Sequence, residues 1–225
     1  MLKHSKIIIT LLMVLPLAVT VAALFFLPDE MPAHYNVQGE VDRWGSKYEM
    51  LIFPIFIPVF GLGMSAAAHV ASHGAGANES TAKAIVCANI AALAMFDVMG
   101  LYFLINSALV AGGRDGLRVD ISNVMCIAMG VAFIPTGLYL PKLKRNALSG
   151  VRTKWSMKND AAWAASQRFG GAAFIAAGVI DILVGIFVPG IYSILTGLGV
   201  LLLAGVAMAV YSRRAYEKTQ GGEGK

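Results

Sequence analysis

Apolar residues gather along this chain into six long runs, roughly 7 to 27, 49 to 70, 84 to 110, 121 to 140, 169 to 188 and 191 to 211, separated by shorter polar connections. Each run supplies the ~20 residues that a helix needs to cross ~30 Å of hydrocarbon. A backbone in lipid must satisfy its own hydrogen bonds, and the runs lack the ~10-residue alternation of an outer-membrane strand. The pattern therefore predicts an all-α integral membrane protein with six transmembrane helices. Lys3 and Lys6 precede the first run as they would a secretory signal. Its apolar stretch from Ile7 to Leu27 exceeds the ~7–15 residues of a signal core, and no small-x-small cleavage site follows, so it reads as a retained helix carrying Pro16.

Composition agrees with the pattern. Residues are 57% hydrophobic and 14% charged, with a mean hydropathy of +0.69, where a soluble domain carries about 25% charged residues. Charge adds an orientation. With the amino terminus inside, 14 of the 18 Lys and Arg residues fall in inner segments, and only Arg43, Lys47, Arg114 and Arg118 fall outside. The positive-inside rule then puts both termini and the 141–168 connection in the cytoplasm. This distribution accounts for the net charge of +5, so membrane lipids are the expected partners and no direct nucleic-acid contact is needed. Cys87 and Cys126 lie inside apolar runs, away from any disulfide framework.

The organisation reads as an N-terminal helix pair over 1–70 with an ordered extracellular loop at 28–48, and a middle helix pair over 71–140. A basic cytoplasmic loop with the C-terminal helix pair follows over 141–211, then a tail over 212–225, disordered from Gln220. No internal repeat stands out. Residues 71–83 read as a mobile link, with Asn78 or Ser80 capping the third helix, and 111–119 as a plain turn with Asp120 capping the fourth.

The two longest connections are where function is expected to collect. In 28–48, prolines and glycines at short intervals predict a series of defined turns, with Asp42 and Ser46 bonding nearby backbone N–H groups. Trp44 and Tyr48 are placed at headgroup level. His34, Asn36 and Asp42 are polar handles for something arriving from outside; the plain alternative is a loop that caps the bundle. In 141–168, seven basic residues face the lone Asp160. Ser156 or Asn159 is expected to cap a short helix, carrying Trp163, that lies on the membrane surface and is held by anionic headgroups.

Asp97 and Asp181 interrupt the third and fifth runs, and no Lys or Arg lies within any span to neutralise them. A charge at the bilayer centre costs at least ~2.5–3.5 kcal/mol, so both are expected to face the bundle interior. Gly171, Gly178 and Gly185 repeat every seven residues on the face that carries Asp181, a small-residue stripe suited to close helix packing. The functional expectation is a proton-sharing pair or relay. The structural one is two acids hydrogen-bonded to neighbours such as Asn89, Asn106, Tyr102 or Thr196. His69 and His73 stand one helical turn apart, but no third ligand is evident, so no metal or other cofactor is expected. The chain lacks a His-Glu-x-x-His pair, a Gly-x-Ser-x-Gly elbow and a phosphate-cradling loop, and it is read as no enzyme.

At the two long connections the chain resembles a known family. Pro32, His34, Asn36, Gly39, Asp42, Gly45, Ser46 and Lys47 match the Pro-x-His-x-Asn-x-x-Gly-x-x-Asp-x-x-Gly-Ser-Lys signature of bacterial SdpI-type membrane proteins. The second connection is similar to that family's Leu-Pro-Lys, Gly-x-Arg-Thr and Trp-x-x-x-Asn-acid-x-x-Trp pattern, through Leu140 to Lys142, Gly150, Arg152, Thr153, Trp155, Asn159, Asp160 and Trp163. Departures are Leu138 where the family has Asn, Lys154 where it has Pro, and Ser166-Gln167 where it has Thr-His.

The resemblance implies a multi-pass protein of the bacterial plasma membrane that confers immunity to a secreted toxic peptide. It also implies a cytoplasmic face that captures a transcriptional repressor. His34, Asn36, Gly39, Asp42, Ser46 and Lys47 would then form the sensing loop. Lys142, Arg152, Thr153, Trp155, Asn159, Asp160 and Trp163 would form the dock. The alternative from the residues is a small proton-coupled transporter or exporter using Asp97 and Asp181, and a structural subunit is a third.

Overall fold

The computed structural model describes residues 4–73 and 77–221. Six helices follow in order: α1 (Ser5–Ala23), α2 (Ile52–His73), α3 (Glu79–Ala111), α4 (Ile121–Tyr139), α5 (Asp160–Phe187) and α6 (Ile191–Gly221). All six are long and apolar enough to cross a membrane. Large side chains such as Leu202 and Leu203 on α6 lie exposed on the outer faces, whereas Ile57 and Leu93 are fully buried. That distribution suits a bundle whose solvent is lipid.

Two helix boundaries differ from the hydropathy reading. Helix α5 starts at Asp160, with the Asn159 side chain accepting from the Ala162 N–H at 2.7 Å. It runs unbroken to Phe187, so the expected separate surface helix is the first turns of the fifth span. Helix α6 continues to Gly221, so the expected tail is helical from Ser212 to Gly221. Residues 222–225, Lys3 and the Gly74–Gly76 part of the expected mobile link lie outside the described residues. The caps at Asn78 and Asp120 accept from Ser80 and Ser122 N–H groups as expected.

The 28–48 connection is a further correction. Instead of a chain of turns it forms an antiparallel hairpin of β1 (Glu30–Tyr35) and β2 (Val41–Ser46), paired from Glu30–Ser46 to Tyr35–Val41 with register shifts around His34. A five-residue 3-10 turn, Lys47–Leu51, leads from β2 into α2.

Helices α1, α2 and α3 share one apolar core around Ile9, Ile57, Ala68, Val86 and Leu93. Phe53, Phe56, Phe60 and Phe96 add edge and tilted ring contacts between α2 and α3. Helix α4 packs on α3 on one side and on α5 and α6 on the other.

The α4–α5 seam is set by glycine. A Cβ on Gly130 would lie 2.5 Å from the Gly178 carbonyl oxygen, and one on Gly178 would lie 2.6 Å from the Gly130 oxygen. Gly137 and Gly171 repeat the arrangement at 2.7 and 2.6 Å. Backbone thus meets backbone at two levels, the close approach that small residues permit in membranes. At the end of the seam, the Asn123 side chain donates to the Gly185 and Val188 carbonyls at 2.8 and 2.7 Å and accepts from the Gly190 N–H at 3.0 Å. It fixes the tight turn between α5 and α6.

Candidate functional site

The hairpin end of the bundle is built by the residues that sequence reading nominated as sensors. Asn36 makes the tip: its side-chain oxygen accepts from the Gln38 and Glu40 N–H groups at 2.9 and 3.0 Å. Gly39 closes the tip with φ +81°, a left-handed conformation that side chains other than glycine adopt at a cost. His34 Nδ1 and Asp42 Oδ1 meet at 2.6 Å across the strands, both exposed. Gly45 leaves room for the Glu49 carboxylate and the Ala33 methyl. Ser46 caps the 3-10 turn through the Tyr48 N–H, and Lys47 pairs with Asp29 at 3.0 Å. Asp42 therefore bonds a histidine rather than a backbone N–H. Arg43 lies 2.8 Å from Glu49, whose hydrogen bond and charge hold the guanidinium above its ordinary pKa. The whole signature describes one tightened hairpin.

What the hairpin encloses was not legible as a motif. Its inner strand is anchored on α3: Met31 is buried with Met50 and Leu104, the Ser107 hydroxyl donates to the Pro32 carbonyl at 3.3 Å, and the Tyr35 hydroxyl lies 3.2 Å from that same hydroxyl. Between the hairpin tip and the α3–α4 link lies a cleft of about 490 Å³, lined among others by Tyr35, Gly39, Tyr102, Phe103, Arg114 and Asp115. Tyr35 and Phe103 meet edge to face at 5.8 Å. Asn106 accepts from the Leu117 N–H at 2.7 Å and Tyr102 donates to the Val119 carbonyl at 2.6 Å, so the link forming the far wall is pinned. An aromatic floor with Arg114, Asp115 and Asp120 along its lining suits an amphipathic ligand.

At the opposite end the 141–168 connection is stitched to the helices. The buried Trp163 Nε1–H donates to the Leu143 carbonyl at 2.7 Å. The fully buried Gln167 side chain donates to the Val151 carbonyl and accepts from its N–H, at 3.1 and 2.9 Å. Thr153 meets Ser212 at 2.7 Å, Asn159 donates to Thr219 at 2.9 Å, and Arg145 pairs with Asp160 at 2.8 Å. Trp163 therefore sits inside the bundle rather than at headgroup level. Of the nominated dock, Thr153, Asn159, Asp160 and Trp163 hold the loop together. Lys142, Arg152, Lys154 and Lys158 are exposed, with Lys154 lying 4.7 Å over the half-buried Trp155 and Lys142 4.8 Å over Tyr139. Arg152 also donates to the Ala147 carbonyl.

The two aspartates are not brought together: α4 packs on both α3 and α5, which make no comparable contact with each other. Asp181 is fully buried beside Cys126 of α4 and Gly197 of α6, and neither of its carboxylate oxygens has a hydrogen-bond partner. One oxygen of Asp97 is likewise buried and unpartnered. The suggested neighbours are engaged elsewhere, Asn89 with Gly61 and Ser65, Asn106 and Tyr102 with the α3–α4 link, while Thr196 is exposed. His69 and His73 stack at 4.3 Å, and the described residues hold no group of three His, Cys, Asp or Glu positioned on one metal.

Comparison with known proteins supports the resemblance carried by the two loops. Residues 142–212 match the SdpI/YfhL protein family, and residues 11–57, which include the hairpin, match a domain of unknown function (DUF1648). The chain is 29% identical over 106 residues to the immunity protein SdpI of Bacillus subtilis (strain 168), an alignment covering 47% of this chain and 51% of that protein. The chain thus spans about half the length of the curated relative it matches. No solved structure matches. With six spans and this bacterial relative, the chain is a multi-pass bacterial membrane protein similar to the SdpI/YfhL family.

Proposed function

We propose that this chain protects the bacterial plasma membrane holding it against a secreted, membrane-active peptide, and that it acts by binding rather than by chemistry. The similarity to a protein named for immunity carries this reading. The positive-inside bias supports an orientation with the hairpin outside and the basic loop and termini in the cytoplasm. The cleft of about 490 Å³ beneath the hairpin would receive the peptide, and its tyrosines and phenylalanine would take apolar side chains. On the cytoplasmic side, the exposed Lys142, Arg152, Lys154 and Lys158 of the basic loop offer a cationic face to an acidic patch on a soluble repressor.

The test is survival of peptide-sensitive cells that co-produce a toxic peptide, with and without the chain. Protection is expected from the wild type and loss of protection from Tyr102→Ala, with membrane insertion retained. Equal killing with and without the wild-type chain overturns the proposal. A second reading, a proton-coupled exporter, is favoured by Asp181, whose carboxylate is wholly buried and unpartnered. Asp181→Asn separates the two: an exporter loses activity, whereas a binding protein keeps its protection.

A further inference from the structure

Neither the hairpin nor the basic loop accounts for a cleft of about 560 Å³ between α1, α2 and α3 at the end of the bundle away from the hairpin. Its composition is graded. Lys6, His69, His73 and Ser72 gather at the terminal level, and Met13 and Val86 line the wall further in, where the Ser65 hydroxyl is spent on the Gly61 carbonyl. Seven residues of α1 separate Lys6 from Met13, about 10 Å of helix, so the cleft runs from the expected headgroup level into the hydrocarbon layer.

The polar mouth is unspent. Lys6 has no acidic partner among the described residues, and the one acid in the neighbouring first turn of α3, Glu79, is tied to Lys83 at 2.8 Å. The two imidazoles are held in place rather than loose. Their rings stack at 4.3 Å, and His73 Nδ1 lies 2.8 Å from the Ser72 hydroxyl, which donates to the His69 carbonyl. With the Ser72 proton on the His69 carbonyl, His73 Nδ1–H donates to the Ser72 oxygen, so His73 orders the mouth and stacks on the His69 ring. A cation, two ordered imidazoles and a hydroxyl above an apolar wall match the two parts of one ligand: an anionic phosphate group carried on an acyl chain.

We propose that this cleft is a binding site for an anionic phospholipid, with its phosphate held by Lys6 and His69, His73 positioning the His69 ring, and one acyl chain lying against Met13 and Val86. It is independent of the peptide cleft and would tie α1 to the α2–α3 pair.

The full chain in detergent, incubated with phosphatidylglycerol or with phosphatidylcholine of the same acyl chains, provides the test through native mass spectrometry. Wild-type protein is expected to retain one phosphatidylglycerol in preference to phosphatidylcholine. Lys6→Gln is expected to lower that retention about fivefold, as removing one charge from an anionic surface does, and K6Q/H69Q/H73Q to abolish the preference. All three side chains are exposed at the mouth, so the variants keep their fold. Lys144→Gln with Lys158→Gln, which alters the basic loop only, is expected to leave retention unchanged. Equal loss in that control, undiminished retention in the triple variant, or equal retention of inorganic phosphate without a chain would each overturn the proposal.

Discussion

Gly178→Ala tests the glycine seam most directly, because the perturbation is a single methyl group. The added Cβ would stand 2.6 Å from the Gly130 carbonyl oxygen and 3.0 Å from Ile134 Cγ1, against the 3.4 Å at which ordinary contact begins. The first obstacle is backbone, so α4 and α5 must separate by about 0.8 Å at that level or tilt. Overpacking of this kind costs about 1–3 kcal/mol. Replacing a helical glycine returns up to about 1 kcal/mol, leaving a net loss of about 0–2 kcal/mol. Gly199→Ala supplies the matched control. It sits in α6 with nothing within 4 Å of its Cβ position, so it receives the helix gain without the clash. The two variants should differ by about 1–3 kcal/mol. At roughly 2–4 °C per kcal/mol for a chain of this size, that separation is measurable as the loss of helical circular dichroism on heating in detergent. If Gly178→Ala melts with or above Gly199→Ala, the backbone contact between α4 and α5 is not what holds the seam.

Trp163→Phe keeps the buried ring but removes the donor to the Leu143 carbonyl, at a cost of about 1–3 kcal/mol for an acceptor left unpaired. Trypsin should then cut faster at Lys142, Lys144 and Arg145, and an unchanged cleavage rate would count against the stitched loop. Gly39→Val forces a β-branched side chain into a left-handed conformation, about 1–2 kcal/mol of strain. It should loosen the hairpin and shift Trp44 fluorescence toward the water-exposed value. His34→Ala removes only an exposed pair and should cost less than about 1 kcal/mol of stability; a larger loss by thermal melt would mean that His34 does more than bridge the strands.

The six spans were legible because lipid leaves few options: a backbone that must bond to itself over ~30 Å writes a run of ~20 apolar residues. Where the helices leave that constraint, legibility falls. Ser166, Gln167 and Arg168 break the hydropathy before the fifth run, yet α5 passes straight through them, because Gln167 is bonded to Val151 and Ser166 to the Ala162 carbonyl. The hairpin was hidden by Pro32 and by register shifts around His34, which destroy the alternation that marks a strand. The signature residues stood out in the sequence, but the bonds that make Asn36, Gly39 and Trp163 fasteners depend on partners that only the fold brings near. Of the cleft-lining residues, Tyr35, Phe103, Arg114 and Asp115 carried no local signal, because distant segments bring them together.

The bonds from Thr153 to Ser212 and from Asn159 to Thr219 grip the last turns of α6, while those from Val151 to Gln167 and from Leu143 to Trp163 grip the start of α5. The basic segment is therefore suspended from two separate posts. Any scissoring of those posts, whatever sets it off, must deform the segment strung between them, so a movement begun in the membrane reaches its surface without a dedicated linker.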